Sequence, residues 1–183
     1  GVIDTGVDWD HPDLAANIWS NPGEIPGNGI DDDGNGFIDD VRGWDFGDND
    51  NDPDDDSAEG GHGTAVAGTI GAVGNNGIGV AGVNWDVKII PLKVADQDGQ
   101  LRGAAIVGAH DYLTDLITNR GINVVASNNS YGTFIEATFE DEMLQADEAE
   151  EAAIQRFVDA GAVFVAAAGN DSNNNDGEMT AFP

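Results

Sequence analysis

Seven consecutive apolar residues, Ala162-Val163-Phe164-Val165-Ala166-Ala167-Ala168, follow directly on a glycine, Gly161. A run that is apolar at every position and too short to cross a membrane reads as a strand buried on both faces. Strands of that kind belong to parallel sheets covered by helices, and parallel neighbours need long crossover connections. The preceding residues supply one. Residues 141–160 are rich in Glu and Ala, with Ala149, Ala153 and Phe157 at helical spacing and Ile154 and Val158 beside them, and Gly161 ends the helix.

The same alternation runs further back. Residues 103–119 set Ile106, Leu113 and Ile117 along one helical face, and Ile122 to Ala126 reads as a short buried strand. Val87 to Val94 reads as another strand, which Pro91 should confine to a sheet edge. Strand, helix, strand, helix, strand predicts an α/β fold with a parallel sheet and right-handed crossovers. Function in such sheets collects at the C-terminal strand ends. Asp4, the segment Asn128 to Ser130, and Gly169-Asn170 all fall at such ends.

The first half differs in character. Residues 20–60 are mostly Gly, Asn, Asp and Pro, with isolated apolar residues Ile30, Phe37, Ile38, Trp44 and Phe46. These anchors predict a long ordered loop pinned to the core, and loops of that length are commonly functional or ion-stabilised. The formal charge is -29, from six basic and 35 acidic residues. Such a surface repels phosphate, which argues strongly against nucleic acid as a partner. It favours cations, and it also suits a saline medium. With no cysteine there is no disulfide and no thiolate metal site. No apolar run reaches the ~18 residues of a membrane span. There is no initiator Met and no signal peptide, and the chain starts inside a strand pattern and stops at Ala181-Phe182-Pro183. We therefore expect residues 1–183 to be one domain incomplete at both ends.

Three stretches carry chemistry. Val2-Ile3-Asp4-Thr5-Gly6 delivers a carboxylate at the end of a strand, on a glycine turn. Gly61-His62-Gly63-Thr64 leads into a small-residue helical run, Ala65 to Ala72. An imidazole at that helix start is a natural general base at neutral pH, and a strand-end carboxylate fixes its tautomer. Ala166-Ala167-Ala168-Gly169-Asn170 ends an apolar strand in an amide, which can donate to a developing oxyanion or cap a turn. Ser127 to Gly132 could offer backbone groups to an extended peptide.

In this order and spacing, Asp-Thr-Gly, His-Gly-Thr and Ala-Ala-Gly-Asn resemble the subtilisin-like serine peptidases, the subtilases. The resemblance covers essentially the whole chain. It implies a three-layer α/β sandwich with a mostly parallel central sheet, here truncated at the C-terminus. It implies that Asp4 orients His62, that His62 is the general base and then the general acid, and that Asn170 lines the oxyanion hole. Ser130 and Gly132 would lie on the strand that pairs with the substrate backbone, and Tyr131 and Leu101 are candidates for shaping the adjoining pocket. The implied protein is a secreted, monomeric, calcium-stabilised endopeptidase acting on proteins or peptides. One element departs from the pattern. The nucleophile should stand in a Gly-Thr-Ser-x-Ala setting, and none of Ser20, Ser57, Ser127, Ser130 and Ser172 does. Residues 1–183 alone are expected to be inactive.

Calcium has three candidate sites. Asp31-Asp32-Asp33-Gly34-Asn35-Gly36-Phe37-Ile38-Asp39 matches the start of an EF-hand loop, with Asp31, Asp33 and Asn35 at its first three ligand positions. The position that should hold a bidentate Glu is Arg42, so a full EF-hand is not expected, and an Asx-turn loop without an ion is the alternative. Asp45, Asp48, Asp50, Asp52 and Asp54 resemble a calcium loop of some thermostable subtilases. Asp13, with the side chain of Asn76 and the carbonyls of Gly74, Ile78 and Val80, resembles the family's more widespread site. Against the peptidase stand two other readings: a calcium-binding or adhesion module that ignores His62, and a pseudo-peptidase that binds peptides without cutting them.

Overall fold

The computed structural model describes residues 1–58, 60–134, 140–170 and 181–182. The strands are β1 (Val2–Asp4), β2 (Trp44–Asp45), β3 (Pro91–Lys93), β4 (Ala126–Asn129), β5 (Thr133–Phe134), β6 (Val163–Ala166) and β7 (Ala181–Phe182). The helices are α1 (His62–Gly71), α2 (Gly103–Thr118) and α3 (Glu140–Asp159), with a 3-10 turn at Ala15–Asn17. Five strands form a parallel sheet in the order β2-β3-β1-β4-β6, and β5 pairs antiparallel with β7.

Alternation along β1 explains the layers. Ile3 packs into a core with Leu92, Ile106, Leu113 and Leu116 of the α2 side and Phe157 of α3. Val2 points the other way, into a second core with Val7, Leu14, Ala67 and Ala72 on the α1 side. The sheet around β1 is thus covered on both faces, as a three-layer sandwich requires. Asp4, two residues after Val2, falls on the α1 face. The register pairs Asp4 with Lys93, and Lys93 with Asp45, so three charged residues line up at the C-terminal ends of neighbouring strands.

Several expectations need correction. Pro91 does not mark an edge strand: β3 lies between β2 and β1. Val2 donates its N–H to the Ile90 carbonyl (2.9 Å), and Val94 donates to the Asp4 carbonyl (2.9 Å), so residues 90 and 94 bond toward β1. Pro91, out of phase with them, faces β2, and pairing with β2 begins only at Leu92. A proline at the first residue of a strand, before the ladder on its side starts, removes no bond.

The strand expected at Ile122 to Ala126 begins only at Ala126 and runs through Ser127, Asn128 and Asn129. Polar residues hold a central position because their side chains bond one another. The buried Asn129 amide donates to Ser127 Oγ (3.0 Å) and to the Val165 carbonyl (3.2 Å), and Tyr131 donates its hydroxyl to Asn129 Oδ1 (3.0 Å). Tertiary bonding overrides strand propensity here.

β6 is not buried on both faces. Phe164 turns toward α2, with its ring 5.6 Å from that of His110. Val163 and Val165 on the other face are 59% and 46% exposed among the described residues. Ala149 of α3 is likewise exposed, whereas Ala153 and Phe157 are fully buried.

The long acidic loop is ordered, but only part of its expected anchoring holds. Phe37 packs edge-to-face on Trp44, Phe46 and Tyr112, with centroids 5.0–5.6 Å apart. Ile30 and Ile38 are exposed. Their place is taken by a buried carboxylate. Asp40 accepts from Tyr112 Oη (2.6 Å), Asn35 Nδ2 (2.8 Å) and Asn21 Nδ2 (2.9 Å). Burial pushes its carboxyl up to about 6 against the pull of these bonds. Arg120, beyond α2, donates to the carbonyls of Asp33 and Gly34 and ties the loop to that helix.

Candidate active site

Asp4 and His62, 58 positions apart in sequence, meet. His62 donates from Nδ1 to Asp4 Oδ1 at 2.7 Å. The carboxylate is 3% exposed and the imidazole 54%. Asp4 Oδ1 also accepts the Thr5 N–H at 2.8 Å. A buried carboxylate under a half-exposed imidazole fixes the ring: with Nδ1 as donor, the lone pair lies on Nε2.

Close packing makes this meeting feasible. A β-carbon at position 63 would lie 2.1 Å from the Gly6 carbonyl oxygen and 3.0 Å from Asp4 Cβ. Only glycine lets the first turn of α1 approach the end of β1 so closely. Gly71 plays the same part at the far end of the helix, where a β-carbon would meet Val87 at 2.4 Å. The small residues of α1 thus let its backbone close on the elements beside it.

The helix start is held by residues that sequence reading left without a role. Gly61, at the N-cap, has no side chain to offer the exposed amides. Thr5 Oγ1 accepts the Gly63 N–H (3.0 Å), and Asp55 Oδ2 accepts the Thr64 N–H (3.0 Å) and the Thr64 hydroxyl (2.6 Å). Asp55 Oδ1 accepts the Thr5 hydroxyl (2.9 Å). Asp55 is one of many carboxylates in an acidic stretch, and nothing in the sequence distinguishes it. Lys93 did carry a signal, being a lysine inside an apolar strand of a chain with six basic residues. It is 2% exposed and bonds Asp45 (2.9 Å) and Asp56 (2.5 Å). Burial pulls its pKa down, but the bonds to Asp56 and Asp45 outweigh this and hold the ammonium charged.

The remaining candidates are more dispersed. Asn170 is exposed, beyond the end of β6. Ser130, Tyr131 and Gly132 form the link between β4 and β5 and belong to neither strand. Leu101 is exposed and makes a single antiparallel bridge to Ala95. Of the serines, Ser127 is buried in β4 and Ser172 lies outside the described residues.

Among the described residues, one group of three acidic ligands converges: oxygens of Glu24, Asp31 and Asp33 lie within 4.8 Å of one another. Glu24 sits upstream of Asp31, and its carboxylate accepts the N–H groups of Asp32, Asp33 and Asp39. Asn35 is beside them, donating from Nδ2 to Asp33 and Asp40. Asp13 is buried, and accepts from Asn76 Nδ2 (2.6 Å) and the Val80 N–H (2.8 Å). These two bonds hold its carboxyl below the ordinary range. Asp13 and the 74–80 loop therefore do come together. The third set does not converge. Asp45 is engaged by Lys93 and by the amides of Gly47 and Asp48, and no three of Asp45, Asp48, Asp50, Asp52 and Asp54 share a site.

Comparison with known proteins adds to this geometry. The profile of the subtilase family matches residues 1–183. Subtilisin-like protease 1 of Plasmodium berghei is 41% identical over 143 residues, 76% of this chain and 23% of that protein. Thermitase of Thermoactinomyces vulgaris is 31% identical over 172 residues, 94% of this chain and 47% of that protein. The structure of a cold-adapted subtilisin-like serine proteinase superposes with a TM-score of 0.57 at 27% identity, covering 92% of this chain and 45% of that one. Sphericase gives a TM-score of 0.66 at 24% identity, over 94% and 46% of the two chains, and speaks for the fold alone. The chain thus spans less than half the length of each of these relatives.

Proposed function

This chain belongs to the subtilase family, and we propose that it carries the orienting acid and the general base of a serine endopeptidase, which cuts peptide bonds through an acyl-enzyme. The observation that carries this reading is the 2.7 Å bond from His62 Nδ1 to a buried Asp4 carboxylate, with the imidazole itself half-exposed. Asp4 holds the tautomer and stabilises the imidazolium that forms when Nε2 takes a proton. His62 returns that proton to the leaving amine. Asn170 supplies an amide N–H to the oxyanion. Ser130 to Gly132 offer main-chain groups to the substrate, and Tyr131 and Leu101 border its side chains. The nucleophilic serine belongs to a segment outside residues 1–183, since no serine within them has the Gly-Thr-Ser-x-Ala setting. Substrates are proteins or peptides, and action outside the cell is carried over from the family resemblance.

Calcium is assigned a structural role at two places. Glu24, Asp31, Asp33 and Asn35 offer hard oxygen ligands, the set calcium takes, and their mutual repulsion is a reason for a divalent ion there. Asp13 with Asn76 and the carbonyls of Gly74, Ile78 and Val80 offers a second all-oxygen set. The carboxylates from Asp45 to Asp54 stay apart and are assigned no ion.

The test is His62→Ala in the full-length protein. Peptide hydrolysis should fall by at least about 10²-fold with circular dichroism unchanged. Hydrolysis at the wild-type rate would reject the peptidase mechanism in favour of a binding module.

A further inference from the structure

α1 begins without a cap of its own. Its N-cap is Gly61, and no side chain at that position meets the first amides. Two residues from other parts of the chain do so instead. Thr5 takes the Gly63 N–H, and Asp55 takes the Thr64 N–H and hydroxyl. Both also bond each other through Thr5 Oγ1 and Asp55 Oδ1 at 2.9 Å. Thr5 follows Asp4 directly, and Thr64 lies two residues after His62. One carboxylate therefore links the turn that carries the acid to the helix that carries the base.

The loop bearing Asp55 is itself fixed. The neighbouring Asp56 bonds the buried Lys93 of β3, whose register partner is Asp4. The carbonyl of Pro53 accepts the Val7 N–H at 3.0 Å. A carboxylate at the helix start also suits the positive end of the helix.

We propose that Asp55 is a positioning residue of the Asp4–His62 pair, holding the first turn of α1 against the end of β1 by its simultaneous bonds to Thr5 and Thr64. This rests on the peptidase reading above for its kinetic consequence, but not for its structural one. A cap that only stabilised the helix would affect melting and nothing else. A positioning role also affects the geometry of the 2.7 Å bond, and a shift of about 1 Å there costs up to about 10²-fold in rate.

The experiment uses the full-length protein with Asp55→Ala, Thr5→Val and His62→Ala. Peptide hydrolysis is measured well below the melting temperature, and the downfield proton resonance of His62 Nδ1–H is recorded by NMR. His62→Ala identifies that resonance by its loss. Asp55→Ala is expected to lower kcat at least about 10-fold with KM within about twofold, and to shift or broaden the resonance. Thr5→Val keeps the shape of the side chain but removes the shared hydroxyl, and should do the same to a smaller degree. It also serves if Asp55→Ala does not fold. If the folded variants keep wild-type kcat and an unchanged resonance, Asp55 is a helix cap only and the proposal is overturned. If His62→Ala hydrolyses peptide at the wild-type rate, the peptidase reading fails, while the resonance in Asp55→Ala still decides whether Asp55 positions the pair.

Discussion

Gly63 stands so close to Gly6 that a single methyl group at position 63 would overlap the Gly6 carbonyl oxygen at 2.1 Å. The helix carrying His62 and the turn following Asp4 touch backbone to backbone. Side-chain placement at this site is therefore set by main-chain contact, which is stiffer than any pair of rotamers.

Gly63→Ala tests that stiffness. The added methyl pushes α1 away from β1 and lengthens the His62–Asp4 bond. We expect kcat of the full-length protein to drop about 10²-fold, with a fall in melting temperature. Steady-state kinetics below the melting point check this, and a wild-type kcat would show that the helix can move without disturbing the pair.

Lys93 provides a stability prediction. Lys93→Met leaves the Asp45 carboxylate buried without its cation, and breaking such a pair costs about 3–5 kcal/mol. Asp56 is largely exposed and rehydrates, so the lower end of that range is expected. Urea unfolding should show the loss, and Lys93→Met with Asp45→Asn should recover part of it. An additive double variant would mean that the two groups are not coupled.

His110 predicts a pH dependence. It is fully buried in α2, donates from Nδ1 to the Ile106 carbonyl (3.0 Å), and rests against the rings of Phe157 and Phe164, with Nε2 buried and unbonded among the described residues. Burial lowers its pKa below the ordinary 6.5. The folded state then binds fewer protons than the unfolded chain between the lowered value and 6.5. Stability is full above about pH 6.5 and falls as the pH drops through that window, by up to about 1.4 kcal/mol per pH unit. His110→Phe should remove this increment, seen as a smaller difference in unfolding free energy between pH 7.5 and 5.5 than in wild type.

Chelation addresses the acidic loop. EDTA should lower the melting temperature of the full-length protein, and Glu24→Gln with Asp31→Asn should reduce the size of that effect. An unchanged melting temperature with EDTA would remove calcium from the account.

The sequence made the pair Asp4–His62 legible because each residue stood in a setting that serves little else: a carboxylate at the end of an apolar strand, and an imidazole between glycines at a helix start. The parallel sheet was legible for the same reason, through the apolar run at Ala162 and the helical spacing before it. What escaped was polar structure. Ser127 and Asn129 form a central strand because each is the other's hydrogen-bond partner, and that cannot be read from either alone. Asp40, Asp55 and Glu24 matter through partners 72, nine and seven or more positions away. In a stretch so rich in carboxylates, spacing does not say which of them turns inward. Pro91 misled for a related reason, since the penalty for proline depends on which neighbour faces its nitrogen.

The order of the sheet has a consequence for how the molecule reaches its native state. β1 precedes β3 and β4, which begin about 90 and 125 residues later, yet it lies between them. The strand that ends in Asp4 therefore cannot be sandwiched until two long loops have closed around it. Contacts of such high sequence separation make for slow folding. While they form, the apolar flanks of β1 stay open to other chains, and that open interval is when association competes with folding.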